Sequence, residues 1–152
     1  MKSISPADEL ASFIARYTPE IAAQAHAVLA KMRARLPGAV ELVYDNYNFL
    51  VVGFGPGERA SEIIFSIALA PRWINLFFFA GDRLSDPQKL LRGSRKLVRS
   101  IRLSGPEMLD DPAVQALMTQ ALKLAPKPID PKQPSRIVIK SISAKQRPRR
   151  PK

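Results

Sequence analysis

Two stretches of the 152-residue chain gather side chains that could bind or react. The first holds Lys89, Arg92, Arg95, Lys96, Arg99 and Arg102, in a segment from Arg83 to Arg102 whose only acid is Asp86. Clustered guanidinium and ammonium groups attract phosphates and carboxylates, and Gly93-Ser94 among them would let backbone amides face an anion. A solvated basic loop is the plain alternative. The second stretch is Tyr44-Asp45-Asn46-Tyr47-Asn48-Phe49, which puts donors, acceptors and flat apolar faces together just before an apolar strand. With Trp73 it suggests a pocket or interface built from Tyr44, Asp45, Tyr47, Asn48 and Trp73. Turn-forming Asp-Asn beside core tyrosines would give the same pattern.

No residue set argues for a reaction. Cysteine is absent and His26 is the only histidine, so Cys-His and His-cluster chemistry are excluded and a catalytic triad could use only His26. His26 flanks an apolar helical stripe and reads as a solvated side chain. There is no G-x-S-x-G. The run Gly53-Phe54-Gly55-Pro56-Gly57 lacks the Lys-Ser/Thr of a phosphate loop and reads as a hairpin turn. Glu41 and Asp45 flank a strand and could form a metal or acid/base pair, but nothing in the sequence fixes their geometry. Asp110-Asp111 reads as a helix cap. No catalytic residue, metal ligand set or cofactor is assigned, and the reading leans away from an enzyme.

The net charge of +11 is uneven. Residues 126–152 hold nine bases and one acid, and once the Arg83–Arg102 segment is also set aside the remaining body is slightly acidic. Such asymmetry suggests a polyanionic partner, nucleic acid above all, although a basic tail can also serve solubility. Arg147, Arg149 and Arg150 would be the tail's contribution. The longest apolar runs, Phe49–Phe54 and Ile74–Ala80, are far short of the roughly 20 residues that cross a bilayer. Met1 to Leu10 lacks the apolar run of a secretion signal, so a cytoplasmic protein with no membrane partner is expected.

These residues need elements to position them. Ser5-Pro6 and Thr18-Pro19 open two helices, the second carrying Ile21, Ala25, Val28, Leu29, Met32 and Leu36 on one stripe until Pro37-Gly38 stops it. Val40 to Tyr44 reads as a short strand or an extended entry. Tyr47–Phe54, Ser61–Ala70 and Trp73–Ala80 read as an antiparallel meander, with the last run central because both its faces are apolar. Asp86-Pro87 is expected to start a single helical turn, and Leu97–Leu103 to form an edge strand. Asp111-Pro112 caps a late helix. The fold class is therefore α+β, with helices packed on a mainly antiparallel sheet of four or five strands. The domain spans 1–125. The extension, 126–152, is basic and Pro/Lys/Arg-rich and could add one strand at 136–142, while Lys145–Lys152 is too charged to fold alone.

Several of these pieces together resemble the YdhG-like family of bacterial domains of unknown function. The pieces are the helix pair ending in Leu36-Pro37, the run Tyr44–Phe49, Trp73-Ile74-Asn75-Leu76-Phe77-Phe78, Gly81-Asp82-Arg83-Leu84 with Asp86-Pro87, and Leu90-Leu91 with Gly93-Ser94, Lys96, Arg99 and Ile101. The match covers about residues 8 to 124 and departs from the family at Asp45, Asn48 and Arg95. The resemblance implies helices on one antiparallel sheet. Some members are similar to frataxin-type iron chaperones, which makes iron carriage an implied alternative. For the hard oxygen ligands iron prefers, the first two helices offer only Asp8, Glu9 and Glu20.

The leading expectation is a non-enzymatic binding protein whose basic surface and tail face a polyanion such as nucleic acid. The alternative is a small-ligand or metal carrier of frataxin-like type using a pocket near Tyr47 and Trp73. A third reading is an interaction module that pairs through 136–142.

Overall fold

Among the described residues, each of the three α-helices begins with a hydroxyl or carboxylate side chain followed by proline. Ser5 accepts from the Asp8 amide at the start of α1 (Pro6–Ile14), Thr18 from the Ile21 amide at α2 (Pro19–Arg35), and Asp111 from the Ala113 amide at α3 (Pro112–Leu124). The cap satisfies an orphan amide and the proline occupies a position where no amide is needed. α2 stops where Gly38 turns back with φ +84°, and a Cβ there would overlap the Asp130 carbonyl of the returning C-terminal chain. The computed structural model describes residues 4–93 and 97–151.

The strands are β1 (Val40–Asp45), β2 (Leu50–Gly55), β3 (Phe65–Leu69), β4 (Ile74–Phe78), β5 (Arg99–Leu103) and β6 (Arg136–Ile142). They form one sheet in the order β5-β4-β3-β2-β1-β6. The α+β class is as expected, but the sheet has six strands where four or five were expected, and it is mixed. β1 to β5 pair antiparallel, whereas β6 lies parallel to β1, with a register shift between Val43 and Tyr44. The chain runs from β5 through α3 and a proline-rich connection before it reaches the β1 edge, which is long enough for a parallel return.

The apolar stripes of all three helices pack on one face of the sheet, among them Ile14, Leu29, Met32 and Leu117 against Val52, Phe54, Ile67 and Leu76. Phe65 and Phe78 meet edge to face there, with ring centroids 5.6 Å apart. Strand alternation sends Tyr44, Val51, Ala68, Asn75 and Arg102 to the opposite, helix-free face. Val40, Leu42 and Ile63 form a small second cluster on that face.

Local boundaries differ from expectation in instructive ways. Asn46–Phe49 is a turn, so β2 starts at Leu50. Gly53 and Gly55 lie within β2 instead of forming the hairpin turn, and Gly53 leaves room for Ile63, whose side chain a Cβ would strike. The segment Ala60–Glu62 is a 3₁₀ turn, and strand pairing starts only at Phe65. β4 is an interior strand as expected, paired with β3 on one side and the edge strand β5 on the other. Asp86-Pro87 starts no helix, and the single helical turn of this connection lies earlier, at Gly81–Arg83.

Tyr17 ties the helical layer to the sheet. Its buried hydroxyl donates to the Leu69 carbonyl at 2.8 Å and accepts from the Leu50 amide at 3.2 Å. Burial raises its pKa above the ordinary tyrosine value. Tyr17→Phe strands both backbone groups, and urea unfolding should show a loss of about 1–3 kcal/mol. Above a pH of about 10 the unfolded chain releases the phenolic proton that the folded chain retains, so stability falls as pH rises through that range. The fall should be shallower in Tyr17→Phe when both proteins are unfolded across the same alkaline series.

Candidate anion-binding cleft

The connection between β4 and β5 shapes one wall of a cleft. The Asp86 carboxylate accepts from the amides of Leu90 and Leu91 at 2.9 and 2.8 Å, curling the chain around itself. Lys89, just before them, is held at φ +54°, the only described non-glycine residue with positive φ. Gln120 on α3 fixes the start of the loop, its amide exchanging hydrogen bonds of 2.8 and 3.0 Å with the Ser85 backbone. Arg92 then pairs with Ser100 by reciprocal backbone bonds of 2.8 and 2.9 Å, which carries it to the outer edge of β5.

Facing this loop are Arg72 and Trp73 in the β3–β4 turn, Arg102 and Ser104 at the end of β5, and Glu20 and Gln24 from the first turns of α2. Together they enclose about 600 Å³. Ile21, Leu90, Ile101, Leu103 and Met108 give it an apolar lining. The Arg102 guanidinium lies over the Trp73 ring, 4.2 Å from its centroid. Stacking there leaves the guanidinium edge, with its fork of donors, able to meet an anion.

Charge is what sets this cleft apart. Arg72, Lys89, Arg92 and Arg102 line it against the single carboxylate of Glu20. None of the four has an ion-pair partner among the described residues, whereas several cations elsewhere are matched. Lys31 and Arg35 bind Asp110, and hydrogen bonding to Lys31 holds that carboxyl below the usual aspartate range. Arg33 forks onto Glu41 at 2.7 and 2.9 Å, and the bond to Glu41 raises its own pKa. Arg136 pairs with Glu58.

The expected site residues therefore divide. Lys89, Arg92 and Arg102 converge with Trp73, and Arg72, which the sequence reading passed over, joins them. Its only sequence signal was its place between Pro71 and Trp73 in a turn. Arg95 and Lys96 lie outside the described residues. Arg99 is half-buried at the other end of β5, donating to its neighbour's carbonyl at Val98. Of the residues of the expected pocket, Trp73 lines the cleft and Tyr44, Asp45, Tyr47 and Asn48 do not. Tyr47 and Asn48 are exposed in the β1–β2 turn, and Tyr44 is half-buried on the helix-free face, where burial raises its phenol pKa. The expected Glu41–Asp45 pair is not formed, since each carboxylate is held by arginine.

The tail residues need a larger correction. Arg149 is not a solvent-facing polyanion contact: it is 3 % exposed, and its guanidinium donates to Asp45 at 2.8 Å and to the Asn46 carbonyl at 2.6 Å. Arg16 approaches the same carboxylate at 3.7 Å. The Arg150 guanidinium donates to the Arg16 carbonyl at 3.2 Å, and Arg147 covers the Tyr47 ring at 6.0 Å. The extension beyond Ala144 thus docks across the ends of α1 and β1, because Asp45 offers a buried charge that needs a partner.

Among the described residues no helix is long and apolar enough to cross a membrane, and no three His, Cys, Asp or Glu side chains are grouped to hold a metal. Comparison with known proteins adds no relative: no protein-family model matches the chain, and neither a curated protein nor a solved structure matches it significantly.

Two outcomes follow from this geometry. Arg149→Ala leaves the Asp45 carboxylate buried with only the more distant Arg16, and should cost about 3 kcal/mol in denaturant unfolding. Lys89→Gly relieves the left-handed backbone and should raise stability by about 0.5–1 kcal/mol in the same measurement.

Proposed function

We propose that this protein is a non-enzymatic binding protein whose cleft and neighbouring basic surface take up nucleic acid. The observation that carries the reading is the set of four cations, Arg72, Lys89, Arg92 and Arg102, gathered in one cleft without carboxylate partners among the described residues. Gathering like charges is unfavourable until an anion arrives, so the arrangement costs the free protein and benefits a complex. The strained backbone at Lys89 points the same way, since such conformations concentrate at functional sites. No helix of the fold is isolated from the core to enter a groove, so phosphate contacts should dominate and sequence preference should be weak. Kinship with the YdhG-like group belongs to the same proposal, helices on one face of a sheet being the fold that the resemblance implies.

The cleft volume of about 600 Å³ favours a second reading, a small anionic ligand such as a nucleotide. Iron carriage has less support, because Glu41 and Asp45 are already bound by arginines.

The test is binding of a labelled mixed-sequence oligonucleotide by fluorescence anisotropy at two salt concentrations. With four phosphates neutralised, affinity should fall about 50-fold between 50 and 200 mM salt. Arg72→Ala and Lys89→Gly should each weaken binding and lower the salt slope by roughly one. Absence of binding at low salt would overturn the reading, and a mononucleotide that binds as tightly as the oligonucleotide would select the small-ligand alternative.

A further inference from the structure

At the end of the sheet where β1 and β5 finish and β2 and β4 begin, three aromatic side chains stand exposed: Tyr47 at 51 %, Phe49 at 43 % and Trp73 at 37 %. The register places two of them in one row. Leu50 faces Leu69, so Phe49 comes next to Ala70, and the Ala70 amide bonds the Trp73 carbonyl at 2.9 Å. Phe49 and Trp73 are then two strand spacings apart, about 10 Å, with only the Ala70 methyl between them. Tyr47 lies two residues before Phe49 in the β1–β2 turn, which the Asn46 amide closes on the Phe49 carbonyl at 3.0 Å.

An arginine guanidinium lies near one ring face of Tyr47 and of Trp73. Arg147 lies over Tyr47 and Arg102 over Trp73, and neither has an ion-pair partner among the described residues. Beyond Arg102 the row runs into the cleft with Arg72, Lys89 and Arg92. Rings and unmatched cations thus follow one another from the β1–β2 turn to the β5 edge.

Resting on the nucleic-acid reading above, we infer that the ligand is single-stranded, with unstacked bases lying on Tyr47, Phe49 and Trp73 and the phosphates tracking Arg147, Arg102 and the cleft cations. A duplex keeps its base faces stacked inside and could use only the cations, leaving three exposed rings without a purpose in the complex. Exposed rings next to cations are the combination that single strands require, because every base has a face to stack and a phosphate to neutralise. A protein partner would find a narrow row bordered by uncompensated positive charge, which suits an apolar interface poorly.

The test uses the full chain at low salt with a labelled pyrimidine strand on the order of ten nucleotides, and a blunt duplex of the same length. The single strand should bind at least tenfold tighter and quench Trp73, the chain's only tryptophan. Phe49→Leu keeps an exposed apolar side chain but removes the ring. It should weaken single-strand binding about tenfold and leave duplex binding unchanged. Trp73→Leu, read by anisotropy, should weaken the single strand likewise. Duplex binding equal to or tighter than single-strand binding, with Phe49→Leu unchanged on both, would overturn this inference and leave the nucleic-acid reading standing. Failure of both ligands to bind would overturn both.

Discussion

Taking a guanidinium and a carboxylate out of water is costly, and removing either partner then leaves the other as an uncompensated buried charge. At the end of β1 such a pair is buried, with Asp45 Oδ2 and Arg149 Nε left without a hydrogen bond among the described residues. Arg149 and Asp45, both 2 % exposed at the side chain, come together from positions 104 residues apart in the chain. The Asn46 and Tyr47 carbonyls accept from the same guanidinium, and Arg16 adds charge from the end of α1. The Tyr17 ring lies beneath it at 5.8 Å while its hydroxyl closes the Leu50 and Leu69 backbone. One buried charge at the end of β1 therefore fixes the end of α1, the β1–β2 turn and the last residues of the chain. β6 leads the chain to this point along the β1 edge, and Gln133 secures its approach by donating to the Gly38 and Pro56 carbonyls.

Local signals in the sequence carry local structure well. Ser5-Pro6, Thr18-Pro19 and Asp111-Pro112 specify helix starts because the cap and the proline act within three residues of one another. The stripe from Ile21 to Leu36 identifies the buried face of α2 because periodicity is a property of the segment alone. The edge position of β5 was legible in its half-charged outer face. What escaped depends on distant partners. Arg149 sits in Gln-Arg-Pro-Arg-Arg-Pro, whose composition describes a solvated tail, and only Asp45 makes burial favourable. Asp86 was legible as a turn former, but not that its carboxylate would take two amides ahead of it in place of starting a helix.

The candidate site was half legible for the same reason. Lys89, Arg92 and Arg102 are conspicuous as charge, but charge alone cannot tell a matched cation from an unmatched one. Arg35 and Arg102 look alike in the sequence, yet the first faces Asp110 and the second faces Trp73. Joining Trp73 to the Tyr44–Asn48 run in one pocket assumed that two turns at one end of a sheet touch. The two turns are carried by adjacent hairpins, but Ala70 at the end of β3 lies between Phe49 and Trp73, and its methyl is too small to bridge them.

The distribution of acids follows from these pairings. Asp45, Glu41, Asp110 and Glu58 are each spent on a cation that anchors a helix, a turn or the tail. In the loop before β5 the Asp86 carboxylate is taken by the Leu90 and Leu91 amides, and the cations of the cleft stay without an ion-pair partner among the described residues. The tail shows the same division within three residues. Burial of Arg149 requires the backbone at Arg147 to lie against Tyr47, where its amide donates to the Tyr47 carbonyl at 2.9 Å. That bond sets the Arg147 side chain over the exposed ring, outside the buried pair. The extension is then neither a diffuse charged tail nor a simple added strand. Its neutralised arginine holds the fold together, and its unneutralised arginine reaches the aromatic end of the sheet because of it.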